Sequence, residues 1–431
     1  MPSERASPRR QMAALLSLTA FGSYLQTVPG ITAPFVAREF GLSDAGIASL
    51  MGFVALGALG AFGLTRLADR IGRRRVLLAC LAVLPALSLA SALAPGVRVF
   101  VALQVLVAAL YVTVLATTMV VITEELPDAE RAEGQAYYGL LFALGGAPVL
   151  LLAPLLAEPA RGWRLMWALP AVALLAIPWV RRSLPETRRF TRAAESGSVA
   201  ATRARDLFRG PYRRRAIGLL AAWTLRPIGV TAVLTFLFYH GVSNLALTPV
   251  VMTLILMLGG AAGLLGIPLG ARLSNRWGRR PTLASFSFLC VASGLAYYWV
   301  PADLPGSPAF ALGACFAVCQ IAFNAYGVAE RCLDTELFPT TLRATYAGST
   351  RLGQAVATIV ANFAISALAS KLGGLVFAIT VVCVATALPA LGIFLAIAPE
   401  TAGQGLDEAS LENAALPRSG SELAPGPRAP G

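Results

Sequence analysis

Charged residues are scarce in this chain of 431 residues. They make up 13% of the sequence, whereas 57% of the residues are apolar and the mean hydropathy is +0.69. Soluble domains carry about 25% charged residues, so this balance excludes an ordinary soluble protein and indicates a membrane protein. Lysine and histidine each occur once, as Lys371 and His240.

The shortage of histidine and acid also argues against a membrane-embedded enzyme, because such enzymes group His, acid or Cys side chains near one face. The six cysteines lie within apolar runs and predict no disulfide framework. Cys315 and Cys319 are one helical turn apart, which metal or redox chemistry could use, but no His or acid lies beside them. We therefore expect no enzyme activity, no metal and no cofactor.

The net charge of +13 could suit a nucleic-acid partner. The arginines, however, are concentrated in short turns between apolar runs, which is the pattern of a topology signal in a membrane protein. We expect a lipid bilayer, and no nucleic acid, around this chain.

A short basic turn stands between two long apolar runs at 63–75, with the sequence GLTRLADRIGRRR. Gly72 allows a tight reversal there, so the stretch predicts a transmembrane hairpin whose turn is held on the cytoplasmic side by charge. The order recurs at 270–280 as GARLSNRWGRR, with Asn275 in the place of Asp69. The recurrence half a chain later predicts two related halves.

These paired turns resemble the loop between helices 2 and 3, and its repeat between helices 8 and 9, in the major facilitator superfamily of secondary transporters. The glycine that usually opens the motif is replaced by Thr65 and Ala271, and the second copy lacks its acid. The segments EELPDAER and TELFPTTLR, and the Pro-Glu-Thr pieces at 185–187 and 399–401, are similar to those of the sugar, aromatic-acid and metabolite branches.

The resemblance implies an all-α membrane protein with twelve transmembrane helices in two pseudo-symmetric six-helix bundles, acting as a monomeric secondary transporter. A span needs about 20 apolar residues, and the apolar runs separate into the same number of spans. We predict them near 12–37, 44–65, 76–95, 98–122, 134–157, 163–181, 214–238, 247–271, 281–300, 308–331, 343–369 and 373–398.

The domain organisation follows from these spans. We predict an N-terminal tail at 1–11, a first bundle at 12–182, a polar central loop at 183–213, a second bundle at 214–399 and a disordered tail at 400–431. The first apolar run is too long for a signal peptide. Basic residues predominate on one side of the spans, which predicts that both termini lie in the cytoplasm. We expect the protein to be a multi-pass protein of the inner membrane.

The resemblance gives the charged turns a gating role. Ion pairs between helices would contribute about 0–1 kcal/mol each, and several together would bias the equilibrium between inward and outward states. The alternative is that these residues only anchor the topology. The predicted gating residues are Asp69, Arg70, Arg73, Glu125, Arg131, Glu186, Asn275, Arg279, Glu336, Arg343 and Glu400.

Arg226 lies about 11 residues into the seventh predicted span, near the middle of the bilayer. Its planar guanidinium matches a carboxylate, so we predict that it binds an acidic substrate; the alternative is that it reaches Glu330 or carbonyls freed by Pro227. Polar and aromatic residues expected to line the substrate cavity with it are Tyr24, Gln26, Thr27, Tyr111, Thr117, Trp223, Gln320 and Asn324, with Gln354 and Asn362 as weaker candidates.

Energy coupling is less defined by the sequence. Relatives that use protons carry an arginine early in span four, where this chain has Gln104. Glu330 is the best remaining proton carrier, with His240 at the outer end of span seven as a weaker one. Facilitated diffusion and anion exchange stay open, as do a drug exporter for cationic or bulky solutes, a sugar transporter, and a receptor or scaffold built on the same fold.

Overall fold

The computed structural model describes residues 8–126, 131–156, 162–184, 213–304, 307–337 and 340–400. Within these ranges the chain is almost entirely helical and contains no strand. Its helical segments, numbered here in chain order, are α1 Pro8–Phe40, α2 Asp44–Ile71, α3 Arg73–Ala92, α4 Val97–Glu125, α5 Arg131–Leu156, α6 Gly162–Ser183, α7 Arg213–Asn244, α8 Pro249–Arg276, α9 Arg279–Tyr298, α10 Pro308–Glu336, α11 Thr340–Ala369 and α12 Leu375–Ile397.

Ten of these described helices are long and apolar enough to cross a membrane. The other two, α1 and α9, fall on the predicted spans at 12–37 and 281–300 and have 33 and 20 residues. Both contain serine and threonine along their length and arginine near an end, which lowers their hydropathy. Both nevertheless pack along long helices of the bundle, α1 against α5 and α9 against α10.

Three of the described segments, α6, α7 and α8, are interrupted, and a proline lies close to the break in α6 and α8. In α6 a 3₁₀ stretch at Leu169–Ala176 separates two short α-helical pieces, and it begins one residue before Pro170. In α8 the helix breaks just before Gly266–Arg276, two residues ahead of Pro268. Proline removes a backbone donor and clashes with the preceding turn, which accounts for these positions.

The predicted reversals in the two basic turns are present. Gly72 joins α2 to α3 with φ 106°, and Gly278 joins α8 to α9 with φ 103°. A positive φ of this kind is costly for any residue with a side chain, so glycine is required at both corners. The two turns lie at the same end of the bundle, which we call the basic end; the end that carries Asp44 and Lys371 is the opposite end.

The helices form two groups that use equivalent packing. In the first half α4 packs against α2 and α3, and in the second half α10 packs against α8 and α9. The halves meet along two equivalent pairs, α2 with α11 and α5 with α8. This pairing gives the molecule a pseudo-two-fold arrangement with the interface between halves running along its middle.

Glycine allows the closest helix approaches at matching places in the two halves. A side-chain carbon on Gly57 of α2 would collide with the carbonyl of Val105 on α4, and one on Gly266 of α8 would collide with the carbonyl of Ile321 on α10. Small residues at such contacts let helices pack tightly where no water is present to drive association. Both glycines therefore serve close helix packing.

Candidate functional site

A cavity of about 790 Å³ lies between the two halves near the middle of the helices. Its size is in the range of sites that enclose small organic ligands. Neutral polar and aromatic side chains form much of its wall, including Gln26, Thr27 and Tyr111 from the first half and Phe238, Phe316, Gln320, Phe323, Gln354, Thr358 and Asn362 from the second.

The cavity continues toward the basic end. A second space of about 590 Å³ shares Gln26, Gln354 and Thr358 with it and extends to the side chains of Asp69 and Arg73 in the first basic turn. At the opposite end the halves are in contact. Ser49 of α2 and Ser366 of α11 are 2.6 Å apart there, and the rings of Phe53 and Phe363 pack edge to face. The described helices therefore enclose a space that is wide toward the basic end and closed at the other.

Arg226 of α7 lines the central cavity and is 6% exposed. Its guanidinium lies over the ring of Tyr326, 3.3 Å from the centroid, and its Nε donates a long hydrogen bond of 3.4 Å to Ser287 Oγ. Its Nη2 is buried and has no acceptor among the described residues. Ser287 thus holds one edge of the guanidinium and Tyr326 covers one face, while Nη2 has no acceptor among the described residues.

Two acids of α10 lie near this arginine. Glu330 lines the same cavity as Arg226, yet no carboxylate of the described chain approaches Arg226 within the 4.0 Å of an ion pair. Asp334, one turn further along α10, accepts hydrogen bonds from Trp223 Nε1 at 2.8 Å and from Tyr346 Oη at 3.3 Å. Among the described residues, the cavity wall therefore has one cation and one acid, and the two do not form an ion pair.

The other predicted cavity residues divide into two groups. Gln26, Thr27, Tyr111, Gln320, Gln354 and Asn362 line the central cavity, and Thr117 lines the space toward the basic end. Three lie outside both walls. Tyr24 donates to the carbonyl of Met166 at 2.8 Å, Trp223 stacks on Phe394, and Asn324 donates to the carbonyl of Gln320 at 3.0 Å.

Two of the predicted gating residues of the first half, Asp69 and Arg73, make contacts inside that half. Arg73 pairs with Asp69 at 3.2 Å and also forms an ion pair with Glu124 at the end of α4. Glu124, one residue before the predicted Glu125, is thus a partner of the motif arginine. Arg70 is exposed at the end of α2.

The second basic turn repeats the bond between positions 69 and 73 with an amide in place of the acid. Asn275 Oδ1 accepts from Arg279 Nη1 at 3.1 Å, so the amide keeps the position of the missing acid. Glu400, just after α12, accepts from the backbone N–H groups of Arg279 and Arg280 at 2.8 and 3.0 Å and so caps the start of α9. Glu186 and the side chains of Arg131, Glu336 and Arg343 lie outside the described residues.

Three residues of this site were not predicted from the sequence. Tyr326 and Ser287 hold Arg226, and Arg351 of α11 lines the space toward the basic end, where it contacts Met119 Sδ at 3.4 Å. One signal was available for Tyr326, because it precedes Glu330 by four residues and so lies on the same face of α10. Ser287 belongs to a helix far away in sequence, and nothing in its own neighbourhood marks it.

Comparison with known proteins identifies the family. The model of the Major Facilitator Superfamily matches residues 13–362, and the chain belongs to that superfamily. It is 26% identical to the putative metabolite transport protein YaaU of Escherichia coli, over 80% of this chain and 81% of that one, and 27% identical to the gallate transporter of Pseudomonas putida, over 76% and 78%.

The fold is that of solved members of the superfamily. The inward-open structure of the xylose transporter XylE from E. coli superimposes with a TM-score of 0.66 at 19% identity, covering 93% of this chain and 97% of that one. The two-bundle fold predicted from the repeated turns is therefore confirmed. The chain is a transporter and not an enzyme, and its helices make it a multi-pass membrane protein.

Proposed function

We propose that this transporter carries a small organic carboxylate across the inner membrane by alternating access, with Arg226 as the residue that binds the carboxylate group. The observation that carries the proposal is the unused Nη2 donor of Arg226 in the wall of the central cavity. A buried donor without an acceptor is costly, and a carboxylate would satisfy it with a charge-assisted hydrogen bond.

The rest of the wall supports a ring-bearing or otherwise compact substrate. Phe238, Phe316 and Phe323 offer apolar and aromatic surface, while Gln26 and Gln320 offer donors and acceptors for substituents. Binding sites commonly combine such an apolar lining with a few polar groups that set orientation. The relatedness to a gallate transporter supports the same substrate class, because gallate is an aromatic carboxylate.

Arg351 extends this path toward the basic end. It lines the wider space with Asp69 and Arg73, and Arg73 is already paired with carboxylates. The described contact of Arg351 is to a thioether sulfur, which is a weak acceptor. An anion leaving Arg226 would therefore meet a second guanidinium on its way out.

The basic end is cytoplasmic in this proposal. Both arginine-rich turns lie there, whereas the opposite end carries few basic residues, and this asymmetry is the usual sign of the cytoplasmic side. The cavity is wide toward the same end, so the conformation is inward-facing, with both termini in the cytoplasm. The likeness to an inward-open transporter structure supports this assignment.

Glu330 is the proposed site of proton coupling. It faces the same cavity as Arg226 without a direct ion pair, so its protonation state can respond to substrate bound at that arginine. A charge within the bilayer is costly unless it is paired or solvated, which favours a proton on Glu330 whenever Arg226 is engaged by substrate. Symport of an anion with a proton follows if Glu330 takes up its proton when the anion binds to Arg226.

The proposal is tested by binding to the purified full-length protein. Benzoate-type carboxylates should raise its unfolding temperature, since a ligand that prefers the folded state stabilises it. The affinity should fall at least about tenfold in Arg226→Ala, because a charged partner is lost. Arg98→Ala is the matched control: it removes an exposed arginine at the opposite end and should leave binding unchanged. Equal affinities in the two variants would refute the role of Arg226.

A sugar is the second candidate substrate. The specific observation is the set of amides in the cavity wall, Gln26, Gln320, Gln354 and Asn362, which suit hydroxyl groups. The same binding assay separates the two, because a sugar would stabilise the wild-type protein and the Arg226→Ala variant alike. That result would leave Arg226 with a structural role.

A further inference from the structure

At the opposite end, one carboxylate joins the two halves. Asp44 is the first residue of α2, and its Oδ1 accepts a hydrogen bond of 2.8 Å from the hydroxyl of Tyr239 on α7. Its Oδ2 accepts a hydrogen bond of 3.1 Å from the backbone N–H of Leu375, the first residue of α12. Asp44 belongs to the first half and both donors belong to the second, so every bond of this carboxylate crosses the interface.

The start of α12 has no cap within its own half. Gly374 precedes the helix with φ 137° and has no side chain to accept a bond from the first N–H groups. Such groups need an acceptor, and Asp is among the side chains that commonly supply one. Here Asp44 supplies it from the other half. The carboxylate also sits in the first turn of α2, where the helix dipole favours a negative charge.

The contact continues from Asp44 toward the cavity. Ser366 of α11 donates to the carbonyl of Ala45 at 2.8 Å, and its hydroxyl lies 2.6 Å from that of Ser49. These residues follow Asp44 along α2 at helical spacing, so the closed interface covers the first two turns of the helix. At the basic end, Arg351 of the second half contacts Met119 of the first at 3.4 Å.

We propose that Asp44 is the outer gating residue of this transporter, a cap supplied by one half to a helix of the other that holds the opposite end shut. Outward opening separates α2 from α7 and α12 and breaks both bonds in each cycle. The proposal rests on the alternating access of the proposed function and is independent of the solute carried.

The test measures the conformational equilibrium without substrate. Asp44→Asn keeps one acceptor oxygen but places an NH₂ group against a donor, and Tyr239→Phe removes a single hydroxyl with little risk to folding. Ser43→Ala is the matched control. Ser43 Oγ accepts from the N–H of Gly46 at 3.2 Å, so this change removes a cap of the same helix end that makes no contact across the halves.

Spin labels report the opening in the full-length chain with its six cysteines replaced. One pair is placed at the exposed positions Arg98 and Lys371 across the opposite end, and a second at Arg75 and Arg276 across the basic end. We expect Asp44→Asn to raise the ratio of outward-open to inward-open molecules by roughly fivefold, as loss of a cap does for a helix end. Tyr239→Phe should give a smaller shift in the same direction.

The control decides between gating and damage to α2. Wild-type distance distributions in Ser43→Ala, with longer distances across the opposite end in Asp44→Asn, support the proposal. Unchanged distributions in both Asp44→Asn and Tyr239→Phe overturn it, as does an equal shift in Ser43→Ala. A failure of carboxylate binding would leave this experiment unaffected, because no substrate is present.

Discussion

The two halves of the bundle share a packing scheme but differ in the charges they bring to the cavity. The first half lines the central cavity with neutral groups, such as Gln26, Thr27 and Tyr111. Among the described residues, the charges of that wall, Arg226 and Glu330, both come from the second half. A duplicated scaffold thus keeps the contacts that both halves need for stability, while the charged chemistry is concentrated in one of them.

The close glycine contacts are the part of the scaffold that both halves retain, and breaking them should have the largest effect. We expect Gly57→Val and Gly266→Val each to lower stability by about 1–3 kcal/mol or more, because a side chain there collides with a backbone carbonyl of the facing helix. Thermal unfolding of the detergent-purified protein measures this loss, and the two variants should behave alike.

Two other glycines of the same helices provide controls. Gly63 of α2 and Gly260 of α8 would each place a side-chain carbon in open space. Alanine at these positions should leave the unfolding temperature unchanged or raise it slightly, since alanine favours the helix more than glycine does. A similar loss at all four positions would mean that helix packing is not what these glycines provide.

Because the charges of the cavity wall lie in the second half, we expect Arg226 to contribute more to carboxylate binding than a neutral residue of the first half. Arg226→Gln should weaken carboxylate binding by about 2–3 kcal/mol, because it removes a charged donor. Gln26→Ala, on the other side of the cavity, should cost only about 0.5–1.5 kcal/mol, the usual value of a neutral hydrogen bond. Calorimetric titration of both variants with one carboxylate gives the comparison, and equal losses would contradict a division of labour between the halves.

Glu400 caps α9 in the second half. Removing its carboxylate in Glu400→Ala leaves the N–H groups of Arg279 and Arg280 without their acceptor, and we expect a loss of about 1 kcal/mol in stability. The control is Glu400→Gln, which retains one acceptor oxygen and should lose less. A denaturant titration measures both, and no change in Glu400→Ala would exclude a capping role.

Much of the fold could be predicted because its signals are local. The apolar runs, the basic turns and the glycine corners at Gly72 and Gly278 each depend on a few neighbouring residues. Which side of a helix lines the cavity cannot be predicted from such local signals. Trp223 and Arg226 are one turn apart on α7, yet Arg226 faces the cavity and Trp223 faces Asp334. Both faces are buried by helices, so hydrophobic periodicity does not distinguish cavity from core.

Contacts between distant segments were also beyond the sequence pattern. Asp44 could be placed near a membrane surface, but its donors are Tyr239 and Leu375, which come from the other half of the chain. The motif arginine Arg73 was expected to pair near the end of α4, and the structure pairs it with Glu124, the residue before the predicted Glu125. Adjacent acids point to different sides of a helix, and only the packing of α3 against α4 brings Glu124 to Arg73.

The acid of the basic turn gives the smallest expected change in stability and separates a gating role from a structural one. Asp69 is 64% exposed and bonds within its own half, so Asp69→Asn should change the unfolding free energy by less than about 0.5 kcal/mol, as should Asn275→Asp in the second turn. If Asp69 acts in the outward-facing state, its replacement should slow uptake into proteoliposomes although stability is unchanged, while Asn275→Asp should leave the rate near that of the wild type. Unaltered uptake in Asp69→Asn would assign the charged turn to membrane topology alone.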